Sequence, residues 1–314
     1  KTIQQEKLNN QVAELDVATS ENNIQESIAQ VYIQILYAAE SVKVNESTLQ
    51  VSIAQRDRGQ ELLNAGSIAK SDFAQLEAQV STDRYQLVTA QATLEDYKLQ
   101  LKQLLELDGE NEMNIYLPAL SDENVLAPLP TKKDVYIRAL SLRPEIEASK
   151  LNVEASELGI GIAKSSYLPT ISLSAGIGTN HTSGSDFTFG EQVKNGWNNS
   201  IGLSVSVPIF NNRQTKSAVQ KAKLQYETSM LSLLDEQKTL YKTIEGLWLD
   251  ANSAQQRYAA ANEKLKSTQI SYELISEQFN LGMKNTIELL TEKNNLLQAQ
   301  QEQLQAKYMA ILNM

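Results

Sequence analysis

Residues 240–279 read LYKTIEGLWLDANSAQQRYAAANEKLKSTQISYELISEQF. Within them Leu240, Ile244, Leu247, Ala251, Ala254, Tyr258, Ala261, Leu265, Thr268, Tyr272, Ile275 and Phe279 step alternately by four and three. That alternation is a heptad seam, and it asks for a partner helix along its length. The surrounding run, from about Asn211 to Leu281, contains no proline and one glycine, Gly246. At a rise of about 1.5 Å per residue, roughly 70 residues span on the order of 100 Å. A compact domain of this mass is less than half that across, so the chain builds something long and its function uses the length.

Composition agrees with a helical protein. The chain has 314 residues, 41% of them hydrophobic, with only 6 prolines and 13 glycines. Net charge is -10 and no basic run follows phosphates, which argues against nucleic acid as a partner. Without cysteine there are no disulfides and no thiolate metal sites. No stretch of about 18 apolar residues offers a transmembrane helix. Lys1 opens directly into helix-like sequence with no secretory leader, so the start is expected to be a processed or truncated end.

Working outward from the seam, residues 1 to about 63 repeat the same stepping through Ile24, Ile28, Val31, Ile35, Ala38, Val42 and Leu49. This helix is expected to stop at Asn64-Ala65-Gly66, where Gly66 suits a left-handed cap. Ser71 or Ser67 is the expected cap of the next helix, about Lys70 to Leu107, which folds back as an antiparallel hairpin. From Asp108 to Pro130 the periodicity fails, with Ile115-Tyr116-Leu117 as a short extended candidate. Helix resumes near Thr131, divides at Pro144 and ends near Tyr167-Leu168-Pro169. A last helix follows the turn Asn280-Leu281-Gly282 and covers about Asn285 to Met314.

Between these helices the period changes to two. In Ile171-Ser172-Leu173-Ser174-Ala175-Gly176-Ile177-Gly178, and again in Ile201-Gly202-Leu203-Ser204-Val205-Ser206-Val207, apolar residues alternate with Ser or Gly. The pattern predicts a two-stranded hairpin with one apolar face and one small, polar face. Such a hairpin is not stable alone in water. Its apolar face either packs on the protein's own helices or faces lipid while the polar face lines a watery lumen. A lone hairpin cannot close a barrel, so the second solution requires oligomerisation.

The two long hairpins also resemble each other. A shift of 216 residues (282 − 66) places Asn64 on Asn280, Gly66 on Gly282, Tyr32 on Trp248, Asp72 on Glu288 and Phe73 on Leu289. An ungapped shift over this length points to two internal structural repeats. If the repeat is complete, a twin of the strand hairpin is expected before Lys1.

Constellations for chemistry are missing. His181 sits in a polar loop with no carboxylate or cysteine set at ligand spacing, and no metal site is expected. Gly159-Ile160-Gly161 lies within a helix, where small residues permit close packing, and is not a phosphate loop. The chain is therefore read as no enzyme and as needing no cofactor. The helix-turn tips carry the charge worth following: Asp72 at the first, and Lys284, Glu288 and Glu292 at the second. Glu288 and Glu292 share a helix face. Several copies around an axis would make acidic rings, which favour cations.

Three motifs resemble those of the TolC-like outer-membrane efflux channels of tripartite pumps and type I secretion systems. Leu142-Arg143-Pro144-Glu145-Ile146 resembles the family's "RPE" helix start. Tyr167-Leu168-Pro169-Thr170-Ile171-Ser172-Leu173 resembles its lead into a barrel strand. Val207-Pro208-Ile209-Phe210-Asn211-Asn212-Arg213 resembles the strand exit, with Asn212 in place of a common glycine. The two Gly-containing tips match as well. The resemblance implies a mainly α fold of very long antiparallel coiled-coil hairpins, the staves of an α-barrel, with one β-hairpin contributing to an outer-membrane β-barrel.

It implies in turn a homotrimer in outer-membrane lipid that extends into the periplasm and passively conducts cargo. Its partners would be a periplasmic adaptor (membrane fusion) protein and an inner-membrane pump. The implied organisation is a first hairpin over 1–107 with its tip near 64–71, and an equatorial segment over 108–133. Helices leading to the barrel follow over 134–166, the strand hairpin over 167–208, and a second hairpin over 209–314 with its tip near 280–286. By the same resemblance, Asp72 and Lys284 are the acidic and basic partners of a closing network, and Phe279 falls on an aromatic that is often tyrosine. Glu288 falls on the first acidic ring; Thr291 replaces the second, leaving it to Glu292. Asn64, Gly66, Asn280 and Gly282 form the tip turns that meet the adaptor. The alternative reading is a soluble periplasmic coiled-coil adaptor or scaffold, although the strands of a lipoyl-like domain are not seen.

Overall fold

A computed structural model of the chain describes residues 1–107, 115–116, 118, 125–184 and 186–313. Helices α1 (Thr2–Asn64) and α2 (Lys70–Leu104) form the first hairpin. They are followed by α3 (Lys132–Leu142) and α4 (Pro144–Ser165). Strands β1 (Thr170–Gly178) and β2 (Asn198–Ser206) flank a short α5 (Phe189–Asn195). Helices α6 (Gln214–Asn280) and α7 (Thr286–Leu312) form the second hairpin. The expected break at Asp108-Gly109 and the residue Leu117 lie outside the described residues, while Ile115 and Tyr116 carry no regular structure.

Local chemistry sets the boundaries. Pro144 opens α4 behind an extended Arg143, as a proline at a first helical turn does, because its missing N–H would have no partner there anyway. Helix α2 stops three residues earlier than its sequence suggests. Glu106 turns left-handed at φ 52°, and the Leu107 amide donates to Lys102 O at 3.0 Å, which closes the helix end. Helix α5 was not foreseen. Thr188 caps it, its hydroxyl accepting the Glu191 amide while Glu191 accepts the Thr188 amide at 2.9 Å.

The contacts gather into two compact units. One comprises Lys1–Val17 with Arg143–Gln237, the other Ala18–Leu142 with Lys238–Met314. The long helices α1 and α6 contribute residues to both.

In the first unit, α1 lies close against α4. Gln5 Nε2 donates to Ala155 O at 2.9 Å. A Cβ on Gly161 would stand 2.5 Å from Lys1 Nζ, so this glycine makes room for the lysine side chain. Beyond β2 the chain re-enters helix through two left-handed residues, Asn212 at φ 49° and Arg213 at φ 63°. Asparagine tolerates that region and arginine does so poorly.

In the second unit, Tyr258 is fully buried with Val125, Ala254 and Ala310. Leu36, Leu304 and Tyr308 form a neighbouring cluster. Tyr37 meets Tyr308 edge-on at 6.2 Å. The irregular segment is fastened to both long helices by side-chain donors. Trp248 Nε1 donates to Pro130 O at 3.0 Å and Tyr32 Oη to Tyr116 O at 2.7 Å. Tyr32 and Trp248 are the pair related by the 216-residue shift, and each bonds a carbonyl of the same connecting segment.

Candidate functional site at the helix tips and strand hairpin

The two tips have the same backbone. At the first, Gly66 has φ 73°, its amide donates to Leu63 O at 3.0 Å, and the Ser67 amide donates to Leu62 O at 2.8 Å. At the second, Gly282 has φ 73°, its amide donates to Phe279 O at 2.9 Å, and the Met283 amide donates to Gln278 O at 2.8 Å. Both are Schellman turns, which need a residue free of the Cβ clash at positive φ. Asn64 and Asn280 are the last helical residues before these turns, and both are exposed.

The following helices start differently from the expectation. Neither Ser71 nor Ser67 caps α2. The N-cap is Ala69, in extended conformation, and the Ser67 amide is already committed to the preceding turn. Ala69 has no side-chain acceptor, so only half of a capping box forms: the Asp72 carboxylate accepts the Ala69 amide at 3.4 Å. At the second tip the box is complete. Asn285 Oδ1 accepts the Glu288 amide at 2.9 Å and the Glu288 carboxylate accepts the Asn285 amide at 3.2 Å.

Lys284 and Glu288 come together, with Nζ 2.5 Å from Oε1. The lysine hydrogen bond, then the Asn285 amide, holds the Glu288 carboxyl below the usual carboxylate range. A carboxyl lowered on folding adds stability that is present above its ordinary pKa and is lost as pH falls through the lowered value. Lys284→Met is therefore expected to move the Glu288 titration midpoint up toward 4.5, the ordinary value, read from its side-chain carboxyl carbon by NMR. An unchanged midpoint would contradict the pairing.

Asp72 forms no ion pair with Lys284 among the described residues; its second oxygen accepts the Ser71 hydroxyl at 3.4 Å. Glu292 turns toward α6, where its carboxylate accepts the Ser271 hydroxyl at 2.9 Å. Phe279 is buried, as are Leu76, Val80 and Leu289. Sequence reasoning missed one cluster nearby. Lys293 of α7 pairs with Asp83 of α2, and Ser52 of α1 bonds both; all three are buried. Leu76, Val80, Asp83, Leu87 and Leu289, Lys293 show the available signal, opposite charges on apolar stripes of two helices.

The strand hairpin pairs antiparallel in a register that keeps the apolar residues of both strands on one face. Ile171 faces Val205, Leu173 faces Leu203 and Ala175 faces Ile201, while Ser172 faces Ser204 and Ser174 faces Gly202. Apolar and small polar residues thus occupy opposite faces. Every residue of both strands is exposed, Leu173 by 75%. The apolar face does not pack on the helices of this chain. Removing each large apolar side chain from water is worth roughly 1.5–3 kcal/mol, so this face calls for an apolar environment from elsewhere. Tyr167, Phe187, Phe189, Phe210 and Trp197 are exposed around the strand ends and in the loop. His181 is exposed and meets the Phe189 ring at 5.3 Å. Among the described residues no helix is long and apolar enough to cross a membrane.

Comparison with known proteins accounts for this combination. A family model described as "Outer membrane efflux protein" matches residues 135–312, more than half of the chain. The outer membrane efflux protein BepC of Brucella suis is 24% identical over 290 residues, covering 92% of this chain and 60% of its own length. The outer membrane protein TolC of Escherichia coli is 23% identical over 311 residues, covering 96% of this chain and 62% of its own length. The chain thus spans about three fifths of these curated relatives. Among solved structures, CusC superposes with a TM-score of 0.82 at 18% identity, over 98% of this chain and 70% of that one. The outer-membrane channel OprN superposes with 0.79 at 20% identity, over 98% and 68%. The long capped hairpins and the two-faced strand pair are those of this fold, and the chain belongs to the outer membrane efflux protein family.

Proposed function

We propose that this chain is the larger part of an outer-membrane channel-tunnel, a passive conduit that carries cargo across the periplasm and the outer membrane. The observation that carries the reading is the exposed strand hairpin, apolar on one face and Ser/Gly on the other, attached to helices far too long for a compact domain. Lipid takes the apolar face and water the polar one. Three copies close the barrel, since a single hairpin leaves two open edges. The repeat of the two tips fits a duplicated unit. Energy comes from an inner-membrane pump, reached through a periplasmic adaptor at the tip turns of Asn64, Gly66, Asn280 and Gly282.

At the periplasmic end the second tips ring the axis. Glu288, whose carboxylate keeps the Asn285 amide when Lys284 leaves it, supplies an acidic ring, with Glu292 one turn further along α7. Asp72 and Lys284 link neighbouring hairpins in the closed trimer, Lys284 exchanging its Glu288 partner for Asp72 of another copy. Exposed pairs of this kind contribute about 0–1 kcal/mol each, so three of them bias a gate without locking it. Glu288→Gln is expected to weaken block of the full-length channel by divalent cations; equal block in variant and parent would sink the acidic ring. The conduit reading itself is tested by cell fractionation of the full-length protein. Recovery with the outer membrane as a cross-linkable trimer is expected, and recovery as a soluble periplasmic protein would contradict it.

A further inference from the structure

Charge is spread unevenly along the chain. Residues 158–226, which hold the strand hairpin and its helical stems, carry Lys164, Lys194, Arg213, Lys216, Lys221 and Lys223 against Asp186 and Glu191, a net +4 (6 − 2). The rest of the chain carries −14 (−10 − 4). The two ends of the hairpin differ. Asp186, Glu191 and Lys194 belong to the segment that joins β1 to β2. At the opposite end, where Thr170 pairs with Ser206, the stems are basic. Lys164 lies just before β1, and Arg213 and Lys216 follow β2. Lys1 adds a cation beside α4, its Nζ 2.5 Å from where a Cβ on Gly161 would stand. The next acids on the stems are Glu157 and Glu227. They stand roughly 12 and 20 Å along their helices from the helix ends that meet the hairpin.

All these stem cations are exposed, and among the described residues none forms an ion pair. Elsewhere exposed lysines such as Lys43 and Lys150 pair with carboxylates of their own helix. Apolar side chains share the basic end. Tyr167, Leu168, Val207, Ile209 and Phe210 are exposed there, Ile209 by 95% and Phe210 by 85%. Exposed aromatics beside unpaired cations suit a membrane–water boundary, where rings lie at headgroup depth and long basic side chains reach phosphates. Arg213 keeps a left-handed backbone, φ 63°, that glycine or asparagine would adopt with less strain. Arginine at a strained position points to a use for its side chain.

We propose that Lys164, Arg213 and Lys216, with Lys1 beside α4 and Lys221 and Lys223 further along α6, form a basic collar that binds anionic phospholipid headgroups in the leaflet facing the periplasm. The collar rests on the conduit reading, which places the strand hairpin in lipid. Phosphates supply the partners that these cations lack within the chain. The attraction fades within about 10 Å of the headgroups, so the collar ends where Glu157 and Glu227 return.

The test uses the full-length protein in phosphatidylcholine bilayers with trace spin-labelled lipids, which report the lipid held against the protein surface. Phosphatidylglycerol is expected to be held about threefold or more over phosphatidylcholine. In Lys164→Gln/Arg213→Asn/Lys216→Gln the preference is expected to fall to about 1.5-fold or less. These are exposed positions, and asparagine tolerates the backbone of Arg213, so the variant is expected to fold. Lys43→Gln/Lys238→Gln/Lys266→Gln removes as many exposed lysine charges from the other compact unit and is expected to keep the parent's preference. A preference that survives the first triple variant, or that falls equally in the second, would overturn the collar. Preference for spin-labelled lipid A and not for phosphatidylglycerol would overturn it too. A parent that holds both phospholipids equally refutes the collar alone, whereas a parent that holds neither contradicts the conduit and the collar together.

Discussion

Lys293→Met is expected to destabilise the tip region of the full-length protein by about 3–5 kcal/mol, because it removes one partner from a buried ion pair. Among the described residues, Asp83 would keep hydrogen bonds from Ser52 and Gln79 and lose its ion pair. Burial already pulls the Lys293 ammonium below the usual lysine range, and the bond to Asp83 works against that shift. Backbone hydrogen exchange around Ser52, Asp83 and Lys293 is expected to quicken by about 100-fold or more in Lys293→Met and in Asp83→Leu. The double substitution is expected to recover most of the protection, since two apolar residues of similar volume need no partner. Additive losses in the double variant would show that the two charges do not depend on each other.

The other large effect is expected at the strand hairpin. Leu173 and its partner Leu203 lie near the middle of the apolar face. Leu173→Arg would put a charge near the lipid midplane at a cost of about 2–4 kcal/mol per copy. Heat-resistant trimer in the outer membrane should fall by about tenfold or more. Ser172→Arg, one residue away on the face that carries Ser204, points into the lumen and should leave trimer yield within about twofold. Equal losses from the two substitutions would contradict the assignment of the faces. The contrast is sharp because a strand turns successive side chains to opposite sides, so neighbours meet opposite solvents.

The two-faced strand hairpin was legible in the sequence for the same reason. With a period of two, Ile171, Leu173 and Ala175 share one face with Val205, Leu203 and Ile201, while a slip of two residues would keep the same faces, so the alternation sets the faces and leaves the register to the structure. Most of the α6 seam was legible from its four-three stepping: Ala251, Ala254, Tyr258 and Phe279 are buried, whereas Leu247, expected on the same seam, is 51% exposed. Gly66 and Gly282 were legible because left-handed helix ends are a glycine habit. What escaped depended on geometry that a linear pattern does not carry. The cap of α2 falls on Ala69, which has no side-chain acceptor, so a cap residue chosen by type alone was misplaced. Helix α5 is too short to show a period, although Thr188 and Glu191 spell its capping box. Asp83 and Lys293 are 210 residues apart, and each alone resembles a blemish on an apolar stripe. Only the packing of three helices brings the opposite charges together. Lys284 and Glu288, four residues apart on adjoining turn and helix, met as their spacing allows, and this pairing within the chain defines what an intersubunit link from Lys284 must displace.

Single-channel conductance of the full-length protein in planar bilayers tests the central claim most directly. The account expects small, cation-selective currents from the closed trimer, rising when both Asp72 and Lys284 are replaced by uncharged residues. A trimer that inserts yet carries no current, either as the parent or with those charges removed, would contradict it.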